Sequence, residues 1–205
     1  MTHTSEWISK AWRLVTGGPN LWNFVLLALI YMAIMTVAGG TFVGSLILGG
    51  PLAAAVFAII LHLLRTDRFD FNRFNDGFSV FLPAMLAGLV TGIFATIGFA
   101  FCIIPGIIIT AMYLFPFLLI VDRKLEFWDA MEASRKLVSQ DLVGFIGFWL
   151  AIVGVNLLGA LACGVGLLVS VPVTWCAVVI AYRELWPEPA TTVIPPAPSE
   201  PPAPA

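Results

Sequence analysis

Three stretches of this chain, residues 14–64, 77–121 and 142–182, contain no Asp, Glu, Lys or Arg. They are 51, 45 and 41 residues long. A helix rises about 1.5 Å per residue and the hydrocarbon core of a bilayer is roughly 30 Å thick, so about 20 apolar residues make one crossing. Each block is therefore two crossings and a turn. The pattern predicts an all-α integral membrane protein with six transmembrane helices in three hairpins. Composition points the same way: 60% of residues are hydrophobic and 11% charged, against roughly a quarter charged in a soluble domain.

The predicted crossings are 21–38, 41–64, 78–99, 101–121, 142–162 and 164–182. The turns inside each pair are short and uncharged: Gly39-Gly40, residues 102–105 and Cys163-Gly164. Gly and Pro supply the backbone conformations that a tight helical turn needs. The first 20 residues are polar and aromatic, and the first apolar run is a full crossing. That reading expects no cleavable signal peptide and takes the first helix as an uncleaved anchor.

Orientation follows from the basic residues. Lys10 and Arg13 precede the first crossing; Arg65, Arg68 and Arg73 follow the second; Arg123, Lys124, Arg135 and Lys136 follow the fourth; Arg183 follows the sixth. With six crossings all ten lie on one side, and the excess of Lys and Arg marks that side as cytoplasmic. The expectation is a multi-pass protein of a bacterial inner membrane with both termini in the cytoplasm.

A short aromatic segment introduces each hairpin. SEWISKAWRLV places Trp7, Ile8, Trp12 and Val15 on one helical face; RFDFNRFNDGF spaces Phe71, Phe74 and Phe78 along another. LEFWDAMEASRKLV sets Phe127, Trp128, Met131 and Leu137 against Glu126, Asp129, Glu132 and Lys136. Such stripes predict cytoplasmic amphipathic helices in the membrane interface, with Trp7, Trp12, Phe71, Phe74, Phe127 and Trp128 as candidate anchors. Arg65, Arg123 and Arg183 stand 58 and 60 residues apart, so one interfacial helix plus one hairpin forms a repeat. Pro51, Pro116 and Pro172 do not align within it.

Domain organisation is then an N-terminal interfacial helix (1–20), a six-helix transmembrane domain (21–185) and a proline-rich cytoplasmic tail (186–205). Residues 187–205 hold eight of the 14 prolines, which disfavour helix and core packing, so the tail is expected to be disordered. A proline-recognising partner or no partner at all are both compatible with it.

Little in the sequence carries chemistry. The blocks contain no intramembrane charge, which argues against a proton- or sodium-coupled pump. Asn156 is the candidate intramembrane polar contact, read as an interhelical hydrogen bond or as a contact to substrate. His62 is the other, one turn from Arg65 near the cytoplasmic interface. Gly40 with Gly44, Gly88 with Gly92 and Gly147 with Ala151 read as helix-packing faces. Cys102, Cys163 and Cys176 read as small packing residues, with no metal spacing. The acids Asp122, Glu126, Asp129 and Glu132 read as a solvated, ion-paired surface beside four basic residues. No nucleotide, hydrolase or metalloprotease motif occurs, so no catalytic residue, metal or cofactor is expected, nor any nucleic acid partner.

The stretch IIPGIIITAMYLFPFLLIVDRKLEFWDAMEASRKLV, with GGPLAAA before it and GVGLLVSVPVTWCAVVIAYREL after it, resembles a broad group of uncharacterised bacterial polytopic integral membrane proteins. These are similar to the membrane domain attached to some glycerophosphodiester phosphodiesterases. The resemblance implies an inner-membrane location and six helices. The group carries no agreed catalytic residues to transfer, and with only 23 residues after Tyr182 the phosphodiesterase barrel and its activity are not expected here. The expected role is a non-enzymatic membrane protein that organises lipids or protein partners, itself compatible with homo-oligomers, from its cytoplasmic face. The alternative is a transporter or channel for uncharged or lipid-like solutes.

Overall fold

The computed structural model describes residues 2–18, 20–39, 42–162 and 164–187. Among these there are ten α-helices and no strand: α1 (Thr4–Thr16), α2 (Leu21–Gly39), α3 (Phe42–Thr66), α4 (Phe74–Ser79), α5 (Phe81–Phe101), α6 (Ile103–Met112), α7 (Pro116–Arg123), α8 (Phe127–Gln140), α9 (Leu142–Leu161) and α10 (Leu167–Leu185). A 3-10 turn, Phe71–Arg73, leads into α4. The expected tail beyond residue 187, and the turn residues Gly40, Thr41 and Cys163, lie outside the described residues.

Six segments are long and apolar enough to cross a membrane: Leu21–Ala38, Ile47–Thr66, Phe81–Phe101, Ile103–Arg123, Leu142–Leu161 and Leu167–Leu185. Helix is the state such segments must take, since hydrocarbon offers no partner to an open N–H or C=O. The segments are not equivalent. In α3 67% of the span is enclosed by protein, whereas in α9 only 11% is. α3 and α10 form the centre, and α2, α5 and α9 surround them with Leu26, Leu82, Phe94, Leu150 and Leu157 facing outward. An apolar exterior of this kind matches hydrocarbon rather than water. α2 packs on α3, α5 on α6, and α9 on α10.

Close helix contacts fall on small residues, though not all at the expected positions. A Cβ on Gly50 in α3 would overlap the Ala84 carbonyl of α5, and one on Gly88 would come within 3.1 Å of the Gly50 Cα. α4 lies so near α3 that a Cβ on Gly77 would overlap the Ala55 backbone. Gly147, by contrast, faces open space. The Gly147–Ala151 pair therefore packs against no other helix of this chain at Gly147; it sits on the membrane-length helix that is least enclosed.

The fourth of these segments is not one continuous helix. The sequence predicts an unbroken run over 101–121, but α6 stops at Met112 and α7 starts at Pro116. Pro116 has no N–H to give the carbonyl of Met112, four residues back. Ser134, fully buried on α8, supplies the missing bond: its hydroxyl donates to the Met112 carbonyl at 2.7 Å and accepts from the Phe115 N–H at 3.4 Å. α8 thus seals the break. Ser134→Ala should lower stability by about 1–3 kcal/mol, the usual cost of an unpaired buried polar group. Denaturation in detergent measures this; an unchanged midpoint would mean that another group reaches Met112.

The N-terminal segment is helical over Thr4–Thr16, and its innermost stripe is Trp7, Ala11 and Val15, all fully buried. α1 packs chiefly on α10, with α9 and α2 beside it. Its start is pinned by Asp141, which caps α9 by accepting from the Gly144 N–H and also accepts from the Thr2 N–H at 3.0 Å. These hydrogen bonds, Thr2 first, hold the Asp141 carboxyl below the usual aspartate range.

Candidate functional site

The three residues that punctuate the sequence repeat meet at one end of the bundle. Arg65 lies in the last turn of α3, Arg123 ends α7 and Arg183 lies in the last turn of α10. The final carbonyls of a helix have no partner within it and carry partial negative charge, which a basic side chain satisfies. Here each arginine reaches across to the next unit. Arg65 Nη2 pairs with Asp122 Oδ1 of α7 at 2.7 Å. Arg123 donates to the Trp186 carbonyl after α10 at 3.4 Å, and Arg183 donates to the Leu64 carbonyl of α3 at 2.6 Å. The contacts run from the first unit to the second, the second to the third and the third back to the first.

Asp122 is the hub. Its other oxygen accepts from the Tyr182 hydroxyl at 2.8 Å, and its side chain is only 11% exposed. It does not belong to the solvated surface that the sequence suggested. Glu132 does: on α8 it accepts from Arg135 Nη2 and Nε at 2.8 and 2.9 Å, with Lys136 Nζ at 3.4 Å. The Arg135 hydrogen bond pulls the Glu132 carboxyl below its ordinary range.

Two cavities flank the Arg65–Asp122 pair. One, of about 310 Å³, lies between α3, the Arg73–Asp76 segment and the end of α7; His62, Arg65, Arg73, Asp76, Asp122 and Lys124 line it. The other, of about 210 Å³, is bounded by Tyr182, Arg183, Trp186 and Pro187. His62 therefore stands in a polar cleft at the bundle's charged end.

Asn156 is placed between α9 and α10. Its Oδ1 accepts from the Ser170 hydroxyl at 3.2 Å, and its Nδ2 donates to the Ile152 carbonyl at 3.0 Å and to Thr174 Oγ1 at 3.2 Å. The amide is satisfied within the protein, so it fixes the register of these two helices. It also borders a cavity of about 410 Å³ whose walls include Tyr31, Phe117, Trp149, Thr174 and Trp175. Tyr31 and Trp175 meet edge to face at 4.9 Å.

The candidate anchors separate into three groups. Trp7 is enclosed, edge-on to Phe148 at 5.0 Å, with its indole N–H donating to Glu184 at 2.8 Å. Phe74 and Phe127 are half-buried against the core. Trp12, Phe71 and Trp128 keep exposed faces. The aromatic cluster of Trp7, Phe115, Phe145, Phe148, Tyr182 and Trp186 joins α1, the α6–α7 break, α9 and α10. Among the described residues no group of His, Cys, Asp and Glu has metal-holding geometry.

Comparison with known proteins adds relatives without a described activity. The chain is 34% identical over 101 residues to an uncharacterised protein of Mycobacterium bovis and to two of Mycobacterium tuberculosis. The match covers 49% of this chain and 31% of each relative. The chain thus aligns with about a third of the length of the curated relatives it matches. No family model matches the chain, and no solved structure does.

Proposed function

We propose that this chain is a non-enzymatic, multi-pass protein of a bacterial inner membrane that organises lipids or protein partners from its cytoplasmic face. In this reading its crossings form three hairpins, both termini are cytoplasmic, and α1, the 71–79 segment and α8 sit at the cytoplasmic interface. The exposed rings of Trp12, Phe71 and Trp128 suit that level, because aromatic side chains favour the headgroup zone. The group of uncharacterised bacterial membrane proteins named above, similar to the membrane domain of some phosphodiesterases, is the proposed kinship.

One observation carries the reading: the convergence of Arg65, Arg123, Arg183 and Asp122 with two adjoining clefts at one end of the bundle. Charged clefts at a membrane interface are where headgroups and cytoplasmic partners are engaged. Extraction of the full chain into native lipid nanodiscs, followed by identification of every bound lipid and protein, tests it. A reproducible partner or an enriched lipid class is the expected result. A particle containing only this chain and bulk lipid would overturn it, and its mass would report any homo-oligomer.

The aromatic cavity beside Asn156 favours a second reading, a transporter or channel for uncharged or lipid-like solutes. Ligand pockets are mostly apolar with a few placed polar groups, and this one has that make-up. Movement of such solutes in reconstituted vesicles no faster than in empty vesicles would remove it.

A further inference from the structure

We infer that the cleft beside Arg65 is a phosphate-binding site, shaped for the headgroup of an anionic phospholipid. The inference rests on the lipid half of the function proposed above and assigns it to particular residues. Three fixed cations line the cavity, Arg65, Arg73 and Lys124, against two carboxylates, Asp76 and Asp122. The carboxylates are already engaged. Asp122 is held tightly by Arg65 at 2.7 Å and by Tyr182.

Asp76 meets Arg73 at 3.2 Å, where both side chains are nearly half exposed. Such an exposed pair is weak and readily exchanged for a stronger anion. Lys124 caps α7 just past its end in a left-handed conformation with φ 54°, and no carboxylate pairs with it among the described residues. The cleft therefore holds one positive charge in excess, with the guanidinium of an exchangeable pair and the His62 side chain beside it.

Those are the donors a phosphate takes. Arginine binds its oxygens through two parallel N–H groups and lysine as a point charge, both with charge-assisted hydrogen bonds. Basic pockets between helices on the cytoplasmic side are a recurrent headgroup site. The cavity floor distinguishes a lipid from a free ion. Ala58, Leu61 and Val121 line it, all buried apolar residues. Phosphate alone gains nothing from that floor, whereas the glycerol end of a phospholipid covers it.

The test uses the full-length protein in phosphatidylcholine nanodiscs doped with phosphatidylglycerol, with lipid retention read by native mass spectrometry. Wild type should retain phosphatidylglycerol beyond its share of the bilayer. Arg73→Gln with Lys124→Gln should weaken retention about thirty-fold, the combined worth of two basic side chains near an anionic surface. Both residues are exposed, and the charge-conserving pair Arg73→Lys with Lys124→Arg should retain the lipid. A second arm titrates inorganic phosphate into detergent-solubilised protein.

Enrichment of phosphatidylglycerol identifies the lipid as ligand; saturable phosphate binding without enrichment identifies the free ion. Neither effect in wild type overturns the site. Lipid retention that persists unchanged in the glutamine pair also overturns it, while leaving the broader lipid-organising function standing.

Discussion

Replacing Trp7 by alanine is expected to destabilise the protein by about 3–5 kcal/mol, the range for truncating a buried tryptophan. The side chain is fully buried, stacks 6.5 Å from Phe145, meets Phe148 edge-on and donates to Glu184 at 2.8 Å. Its removal empties the centre of the cluster that ties α1 to α9 and α10, and leaves the Glu184 carboxylate without that donor. The loss should be local before it is global. Amides of α1 should exchange hydrogen much faster, while those of α3 stay protected.

Trp12→Ala and Trp128→Ala are the controls, since their rings are 50% and 60% exposed. A Trp7→Ala protein with wild-type melting and wild-type protection of α1 would show that this helix is held by lipid and not by the bundle. Trp7→Phe separates the two contributions of the indole: it keeps ring packing and removes the N–H, so it should cost far less.

The six membrane-length helices were legible because charge is excluded from hydrocarbon so strongly that its absence over 41 or more residues admits few alternatives. The spacing of Arg65, Arg123 and Arg183 was legible too, and it turned out to mark side chains that meet in space. What each touches was not. Asp122 stands one residue before Arg123 and a few before Glu126 and Asp129, and nothing in that order says which acid turns inward. The ends of α3 and α10 decide it, and they lie 57 and 60 residues away.

The break at Tyr113–Phe115 had a local signal, Pro116 within an apolar run, but its repair by Ser134 depends on how α8 folds back. Trp7 was misplaced on its face for a different reason. An amphipathic stripe reports an apolar neighbour without distinguishing lipid from protein, because acyl chains are as apolar as leucine. Small-residue spacing likewise marks a possible contact only where the helix is enclosed, as at Gly50 and not at Gly147.

Asp122→Ala should be the second most damaging change, at about 2–3 kcal/mol. Removing one partner of a buried ion pair costs about 3–5 kcal/mol when the other is left fully desolvated. Arg65 is 36% exposed, so water recovers part of that penalty. The Tyr182 hydroxyl loses its acceptor in the same step. Replacing both charges, Arg65→Met with Asp122→Leu, should then cost less than the sum of the two single changes, because no orphaned charge remains. A double-mutant cycle by chemical denaturation in detergent measures the coupling, and simple additivity would show that the 2.7 Å pair contributes nothing. The same cycle reports on function. Arg65 and Asp122 form the wall shared by both clefts, so Asp122→Ala should also loosen the joint between α3, α7 and α10. Removing this carboxylate also leaves the cleft beside Arg65 with a second excess positive charge, so anionic lipid should still be retained by this variant at temperatures where it is folded, and a loss there would show that the shape of the wall matters more than its charge.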